Sequence, residues 1–219
     1  MKKTKKICIS LIIAIILVSL GLVIYKYYSH YFQINQLLKN PTLVQSEGDK
    51  KTVIDYAKNN LEDYFNVAKL VYPDILLDKA NILSPFKVYY LSLSEIKSSK
   101  SDYELISQFK PSGNWYVPIQ WSDNKGSIVS VAKSGNEWKF DEMILDVAFV
   151  RIQEGLKNAK LGWGSSFYFA NVYSRESPTG NMVIFLRKGL KLQAIPINVM
   201  SHEPKPIPAL MIGDLLESY

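Results

Sequence analysis

An uncharged apolar run near the N-terminus constrains this chain more than any other feature. Four lysines occupy the first six positions, and residues 7–24 then form a run of 18 residues without a charge. A helix rises about 1.5 Å per residue, so the run would span about 27 Å, close to the ~30 Å hydrocarbon core of a bilayer. The sequence therefore predicts one transmembrane helix over residues 7–25.

The charges around this run predict its orientation. The lysines precede the span, and cytoplasmic flanks are enriched in Lys and Arg, so we expect residues 1–6 in the cytoplasm. Tyrosines at positions 25, 27, 28 and 31 are typical of a lipid–water interface. The rest of the chain would then be extracytoplasmic, in a single-pass protein of the cell membrane.

A cleaved signal peptide is the competing interpretation of the same run. Residues 19–21 (Ser-Leu-Gly) offer small side chains of the kind found at cleavage sites. The apolar sequence continues through residues 22–24, beyond the usual length of a signal-peptide core. This continuation favours an uncleaved signal anchor.

Charge and cysteine content limit the functions that are expected of the sequence after the apolar run. The chain carries 26 Lys+Arg against 20 Asp+Glu, but five of the lysines lie in the first 28 residues, where there is no acid. The rest is close to neutral, so we expect no nucleic-acid partner, because such proteins need a basic stripe. The one cysteine, Cys8, lies inside the predicted span. The exported part therefore has no disulfide and no thiol nucleophile.

The sequence divides into four predicted segments. Asn40-Pro41 is expected to break any helix that continues from the span, and a polar linker follows it. The predicted segments are a cytoplasmic tail (1–6), a membrane anchor (7–25), a juxtamembrane segment with a linker (26–48), and an exported domain (49–219) with a sub-boundary near residue 145.

Apolar periodicity predicts one long helix at the start of the exported domain. Its apolar positions follow i, i+3, i+4, i+7 spacing, and Pro73 ends the pattern. The expected buried stripe consists of Ile54, Ala57, Leu61, Tyr64, Phe65, Ala68, Val71 and Tyr72.

Short alternating segments separated by turn residues predict an antiparallel sheet after this helix. The predicted strands cover residues 86–93, 115–121 with an irregularity at Pro118, 127–133, 138–144, 167–173, 182–187 and 190–197. Residues 101–109 and 145–156 are expected to be helical. Helices and hairpins occur in blocks, so the predicted fold class is α+β. A long helix followed by a curved antiparallel meander is similar to the element order of cystatin-like and NTF2-like folds.

Residues that could perform catalysis are scarce. His30 and His202 are the only histidines, so neither a Ser–His hydrolase nor a histidine metal site is expected, and we expect no cofactor. Carboxylates remain for acid–base chemistry, at Glu62/Asp63, Asp141/Glu142 and Asp146. Adjacent Asp141 and Glu142 on one strand would face opposite ways. We therefore expect a protein that is not an enzyme.

Aromatic residues offer the clearest candidate for a binding surface. The candidate ligand or partner surface consists of Trp115, Tyr116, Trp121, Trp138 and Trp163. Strand alternation places Trp115 and Trp121 on one face of the sheet and Tyr116 on the other. A large aromatic core is the competing interpretation of the same residues.

Three functions remain open at this point. The first is a membrane-anchored extracytoplasmic binding or assembly module of a bacterial envelope, with a protein partner. The second is a tethered sensor of a small molecule or peptide with an aromatic pocket, and the third is a carboxylate-dependent envelope glycan hydrolase. An exposed apolar groove or sheet edge would favour the first, an enclosed aromatic pocket the second, and two carboxylates converging across a cleft the third.

Overall fold

A computed structural model describes residues 47–145, 147–163, 167–174, 180–188, 191–198 and 203–217. The predicted cytoplasmic tail, membrane span and most of the linker lie outside these residues, as do Asp146 and both histidines. No helix of the described part is long and apolar enough to cross a membrane. The described residues have the predicted α+β class.

The described strands form one large, curved, mixed sheet. Its order is β5-β4-β3-β2-β6-β7-β8-β9, with β1 paired to β3. The strands are β1 (Asn81–Ile82), β2 (Phe86–Ser92), β3 (Lys110–Ser122), β4 (Lys125–Ser134), β5 (Glu137–Leu145), β6 (Tyr168–Tyr173), β7 (Asn181–Lys188), β8 (Lys191–Pro196) and β9 (Ile207–Pro208). Every strand predicted from alternation is present.

The prediction of a purely antiparallel sheet is wrong at the centre. β2 pairs with β6 in parallel, with Val88 beside Phe169 and Tyr90 beside Asn171. Four of the seven residues of β2 are buried, and they include the neighbours Val88 and Tyr89, which lie on opposite faces of the strand. A parallel central pair is typical of strands that are buried on both sides.

The helices are mostly short and lie on both faces of this sheet. They are α1 (Glu47–Asn59), α2 (Leu61–Val71), α3 (Leu93–Ser98), α4 (Asp102–Ser107), α5 (Val147–Asn158) and α6 (Ile212–Glu217). Ser92 and Glu95 form a capping box at the start of α3. This box fixes the chain direction as it leaves β2.

The single long helix expected after residue 48 is not found. It is divided at Asn60, whose φ of −110° and ψ of 11° separate α1 from α2. The Asn60 side-chain amide donates to the Tyr56 carbonyl oxygen at 2.8 Å, and such bonds compete with regular helix hydrogen bonding. The buried stripe consists of Val53, Ala57, Tyr64, Ala68 and Tyr72. Of the positions predicted to be buried, Ile54, Leu61 and Phe65 are only half-buried, and the prediction is wrong for Val71, which is exposed.

Two cores lie on opposite faces of the sheet. The α1/α2 core packs those two helices against β3 and β4, with Trp121 and Val129 among its buried residues. The α5 core packs α5 against β2, β6, β7 and β8, with Phe149 and Phe169 among its buried residues. The sheet therefore separates two apolar layers, and any functional surface lies where neither layer covers it.

The strand irregularity predicted at Pro118 is also wrong. Pro118 pairs in register with Ile128, and its carbonyl oxygen accepts a hydrogen bond from the Leu83 amide at 2.9 Å. The register of β4 and β5 shifts instead between Ser130 and Val131. That bulge determines the geometry of the candidate site.

Candidate functional site

Three of the five predicted surface residues lie in the interior. Trp115 and Trp121 are 2% and 0% exposed in the α1/α2 core, and Tyr116 is 3% exposed in the α5 core. The predicted alternation of these three side chains is confirmed. The Trp121 indole Nε1 donates to Ser127 Oγ at 3.0 Å, which satisfies its polar group inside the fold.

The other two aromatic residues lie at the edges of different cores. Trp138 is half-buried, and its Nε1 donates to Thr52 Oγ1 at 3.2 Å next to the α1/α2 core. Trp163 stacks on Phe149 with ring centroids 5.3 Å apart, at the α5 core. The structure therefore does not bring the five predicted residues together into one surface.

A polar cluster lies on the sheet face that α5 partly covers. We call it the tyrosine face, and it consists of Tyr90, Asn114, Tyr116, Ser130, Asp141, Glu142, Asn171 and Tyr173. Pairing register places Ser130 between Tyr116 and Glu142 across three neighbouring strands. Residues that pair in this way share a face of the sheet.

A hydrogen-bonded triad occupies one end of the tyrosine face. Asn114 Nδ2 donates to Asp141 Oδ2 at 3.0 Å, and Ser130 Oγ donates to the same oxygen at 3.1 Å. Ser130 is fully buried, so its hydroxyl needs this partner inside the fold. The two donors hold the Asp141 carboxylate in one orientation.

The bulge between β4 and β5 brings both adjacent carboxylates to this face. Ser130 pairs with Glu142 while Val131 pairs with Phe140, so Asp141 is the additional residue. Asp141 bonds to Ser130, and the Glu142 charge acts on Tyr116, so both side chains lie near the same residues. The expectation that they face opposite ways is wrong because a bulge interrupts alternation.

The other end of the face is formed by tyrosines and an asparagine. Asn171 Nδ2 donates to Tyr116 Oη at 3.3 Å, and Asn171 is only 9% exposed. The rings of Tyr90 and Tyr173 meet edge to face, with centroids 5.4 Å apart. Gly180, at φ +77°, lies against the Tyr173 ring, where an added Cβ would come within 3.1 Å of a ring carbon.

Burial controls the ionisation of these tyrosines. It raises the pKa of Tyr116 to about 12; the hydrogen bond with Asn171 opposes this effect, and the negative charge of Glu142 adds to it. Burial also raises the pKa of Tyr173, and the neighbouring Tyr90 contributes. At neutral pH both hydroxyl groups are therefore protonated and act as hydrogen-bonding groups rather than as bases or nucleophiles.

Alkaline titration should expose this burial. The pKa of Tyr116 is higher in the fold than the ordinary value of about 10, so the fold retains its proton more strongly than the unfolded chain. Its contribution to stability is complete below about pH 10 and is lost as the pH rises to about 12. Chemical denaturation at several pH values should show this decline. Tyr116→Phe should make the decline less steep, and an unchanged slope would contradict the assignment.

A second exposed feature lies on the outer side of α2. We call it the α2 strip, and it consists of Val67, Leu70, Val71, Leu76 and Leu77. Their exposed fractions are 45%, 84%, 50%, 50% and 38%, respectively. The first three follow i, i+3, i+4 spacing along one flank of the helix, next to the buried side chains of Tyr64 and Ala68.

The described residues offer little support for a metal site or a charged ligand pocket. Within them, no group of three His, Cys, Asp or Glu side chains could hold a metal ion. An open depression of about 560 Å³ lies beside Tyr173, and Lys97 and Glu217, which line it, form an ion pair of 2.5 Å. Both charges are thus already partnered across this depression.

Sequence analysis missed Asn114, Ser130 and Asn171 as site residues. Asn171 lies in the otherwise apolar and aromatic strand β6, and Ser130 lies between the β-branched residues Val129 and Val131. A polar residue among apolar ones in a strand is the signal that could have identified these two. Asn114 follows other polar residues and a glycine at the start of β3, so the sequence offers no such signal for it. No family model, curated protein or solved structure matches this chain significantly.

Proposed function

We propose that this chain is a membrane-anchored extracytoplasmic binding or assembly module of a bacterial envelope, and that it is not an enzyme. The observation that carries the proposal is the α2 strip, in which Leu70 is 84% exposed. Exposed apolar side chains that are neighbours on a helix, as Val67, Leu70 and Val71 are, mark interaction sites in soluble domains. An exposed apolar surface is the feature expected of a binding or assembly module, whereas a sensor would have an enclosed aromatic pocket and a hydrolase two converging carboxylates.

The occupant that we propose for the α2 strip is a protein with a complementary apolar surface. Charges of both signs flank the strip, with Lys69 and Lys79 near Asp74 and Asp78. A surface that binds anionic lipid headgroups needs a cluster of Lys and Arg, and this segment has none. The near-neutral charge of the sequence after residue 28 equally disfavours nucleic acid.

The membrane topology belongs to the same proposal. Residues 1–6 would be cytoplasmic, residues 7–25 would form the single span, and the domain from residue 49 onward would be outside. The support is the apolar run and the lysines that precede it. We also retain the likeness to cystatin-like and NTF2-like folds as a proposal for the α1 to β5 segment, where helices precede a meander.

The hydrolase alternative has little support. Asp141 and Glu142 extend from one strand at a bulge, and Asp141 is held by Ser130 and Asn114. Glycoside hydrolysis needs two carboxyl groups on either side of the scissile bond. We do not propose this activity.

Site-specific photocrosslinking tests the α2 strip. A photoreactive amino acid at Leu70, in the full chain in its native membrane, should form one discrete adduct with another protein. The same group at Glu104, which is exposed on α4, is the matched control and should form none. In the double variant Val67→Ser/Leu76→Ser the Leu70 adduct should fall at least about fivefold, while each surface change shifts stability by less than about 0.5 kcal/mol.

Three results would contradict this assignment. They are the absence of an adduct at Leu70, equal adducts at Leu70 and Glu104, and an adduct that the double variant does not weaken. An adduct of twice the monomer mass would show that the partner is a second copy of the chain rather than another protein.

A second candidate function is the tethered sensor of a small molecule or peptide. The tyrosine face favours it, because Tyr90 is 38% exposed beside a network of buried polar side chains. Binding sites commonly combine aromatic side chains with a few fixed polar groups.

A further inference from the structure

We infer that the chain pairs with a second copy of itself along the outer edge of β5, as two antiparallel strands related by a two-fold axis at Phe140. This inference goes beyond the proposed function and concerns a surface other than the α2 strip. Three observations carry it, namely an open strand edge, an exposed aromatic ring at its centre, and charges that are complementary in one register.

β5 lies at one end of the strand order. In the part of the chain that the structure describes, β4 is its one strand neighbour, so the outer side of its nine residues offers backbone N–H and C=O groups to another strand. Residues 139–142 are all exposed, so neither face of this central part is covered. At the other end of the order β9 has only two residues. An open edge of this length is a template for pairing.

Phe140 is the exposed aromatic residue of this edge. It remains 48% exposed, although its ring meets the buried Tyr64 ring with centroids 5.8 Å apart. Trp138 and Met143 are half-buried on the same face of the strand, next to the α1/α2 core. A two-fold axis at Phe140 makes the rings of the two copies cross-strand neighbours and sets Trp138 opposite Met143 of the second copy. Such aromatic and apolar cross-strand pairs stabilise a sheet.

The charged residues of the edge select this register. The bulge makes Asp141 the additional residue, so Lys139 and Glu142 are the neighbours of Phe140 in the ladder, and both lie on the tyrosine face. Pairing about Phe140 therefore sets Lys139 against Glu142 of the second copy. The symmetry forms this contact twice. An axis at Lys139 would instead oppose two like charges, which is unfavourable.

These charges are available for a second copy. Among the described residues, neither Lys139 nor Glu142 forms an ion pair. Asp141 is held by Ser130 and Asn114, so it stays within its own copy. Charged side chains on an edge strand prevent indiscriminate pairing, which favours the register that opposes unlike charges.

Cysteine crosslinking with a short, membrane-permeable bismaleimide tests the pair on the full chain in intact cells. In a Cys8→Ser background, Phe140→Cys should give a species of twice the monomer mass, because the two thiols meet at the axis. Glu137→Cys is the matched control, since it is exposed on the same strand and its two copies would be about 20 Å apart. The yield at Phe140→Cys should be at least about fivefold higher. Strand edges form small, weak interfaces, so covalent trapping is the appropriate measurement.

Charge reversal in the Phe140→Cys chain tests the register. Lys139→Glu and Glu142→Lys each oppose like charges across the axis, and each should lower the yield at least about fivefold. The two changes together oppose unlike charges again and should restore the yield. Both residues are exposed, and the restored yield also shows that the domain remains folded.

Three results would overturn the inference. They are equal yields at Phe140→Cys and Glu137→Cys, a yield that neither single reversal lowers, and a loss that the double reversal does not restore. The reagent crosses membranes, so a wrong topology would not suppress the crosslink. Leu70 lies on α2 and not on this edge, so its crosslinking test remains independent of this one.

Discussion

Trp121→Ala should destabilise the domain by about 3–5 kcal/mol, the usual cost of removing a buried aromatic side chain. Trp121 is fully buried, meets Phe65 edge to face at 6.1 Å and bonds to Ser127. Domains of this size have only about 5–15 kcal/mol of stability, so the variant should be close to unfolding at physiological temperature. Urea denaturation of the variant and the unchanged chain measures the difference.

Trp138→Ala is the matched control for this change. Trp138 is only half-buried, and its hydrogen bond to Thr52 is exposed, so the loss should be no more than about half as large. Equal losses for the two tryptophans would contradict the assignment of Trp121 to the core. Ser127→Ala should cost about 1–3 kcal/mol, since it leaves the buried indole N–H without its partner.

Gly126→Ala should have the second largest effect, because the new methyl group would overlap the ring of Phe149. Phe149 is fully buried and is held by its stack with Trp163, so it has little room to move. Overpacking of this kind costs about 1–3 kcal/mol or more. The backbone at Gly126 is not left-handed, so the cost arises from the contact rather than from strain.

A double-mutant cycle checks this origin. In the presence of Phe149→Leu, the further cost of Gly126→Ala should fall by at least about 1 kcal/mol, because the ring that it meets is gone. Gly162→Ala places its methyl group in open space and is the control for the glycine change itself. Additive costs in the cycle would contradict the proposed contact.

Most of the fold follows from local patterns, and the exceptions have local causes. The strands β3 and β4 were identified from β-branched and aromatic residues between turn residues, and both contain consecutive buried residues because the sheet is covered on both faces. The break at Asn60 was missed because the apolar spacing continues across it. The Ser92–Glu95 capping box could have been identified from its spacing. The parallel pairing of β2 with β6 joins distant segments, and no periodicity specifies it.

The candidate site was only partly predictable for a similar reason. Tyr90 and Tyr173 lie on predicted strands, and Asp141 and Glu142 were candidate acids. Their arrangement on one face depends on the bulge in β5 opposite Ser130. That bulge lies among exposed polar residues of β5, and no sequence pattern marks it. Tryptophans were the more conspicuous candidates, but their large apolar area favours burial, as Trp115 and Trp121 show.

Cysteine labelling on intact cells tests the central claim, an extracytoplasmic domain whose α2 strip is covered by a partner. In a Cys8→Ser background, Glu104→Cys and Leu70→Cys each introduce one exposed thiol. A membrane-impermeant maleimide should label Glu104→Cys on intact cells at the rate found for the purified chain. It should label Leu70→Cys at least about fivefold more slowly on cells than after purification, because a covered side chain reacts only when its partner dissociates. Labelling of either thiol only after lysis, or equal rates at Leu70→Cys before and after purification, would contradict the account.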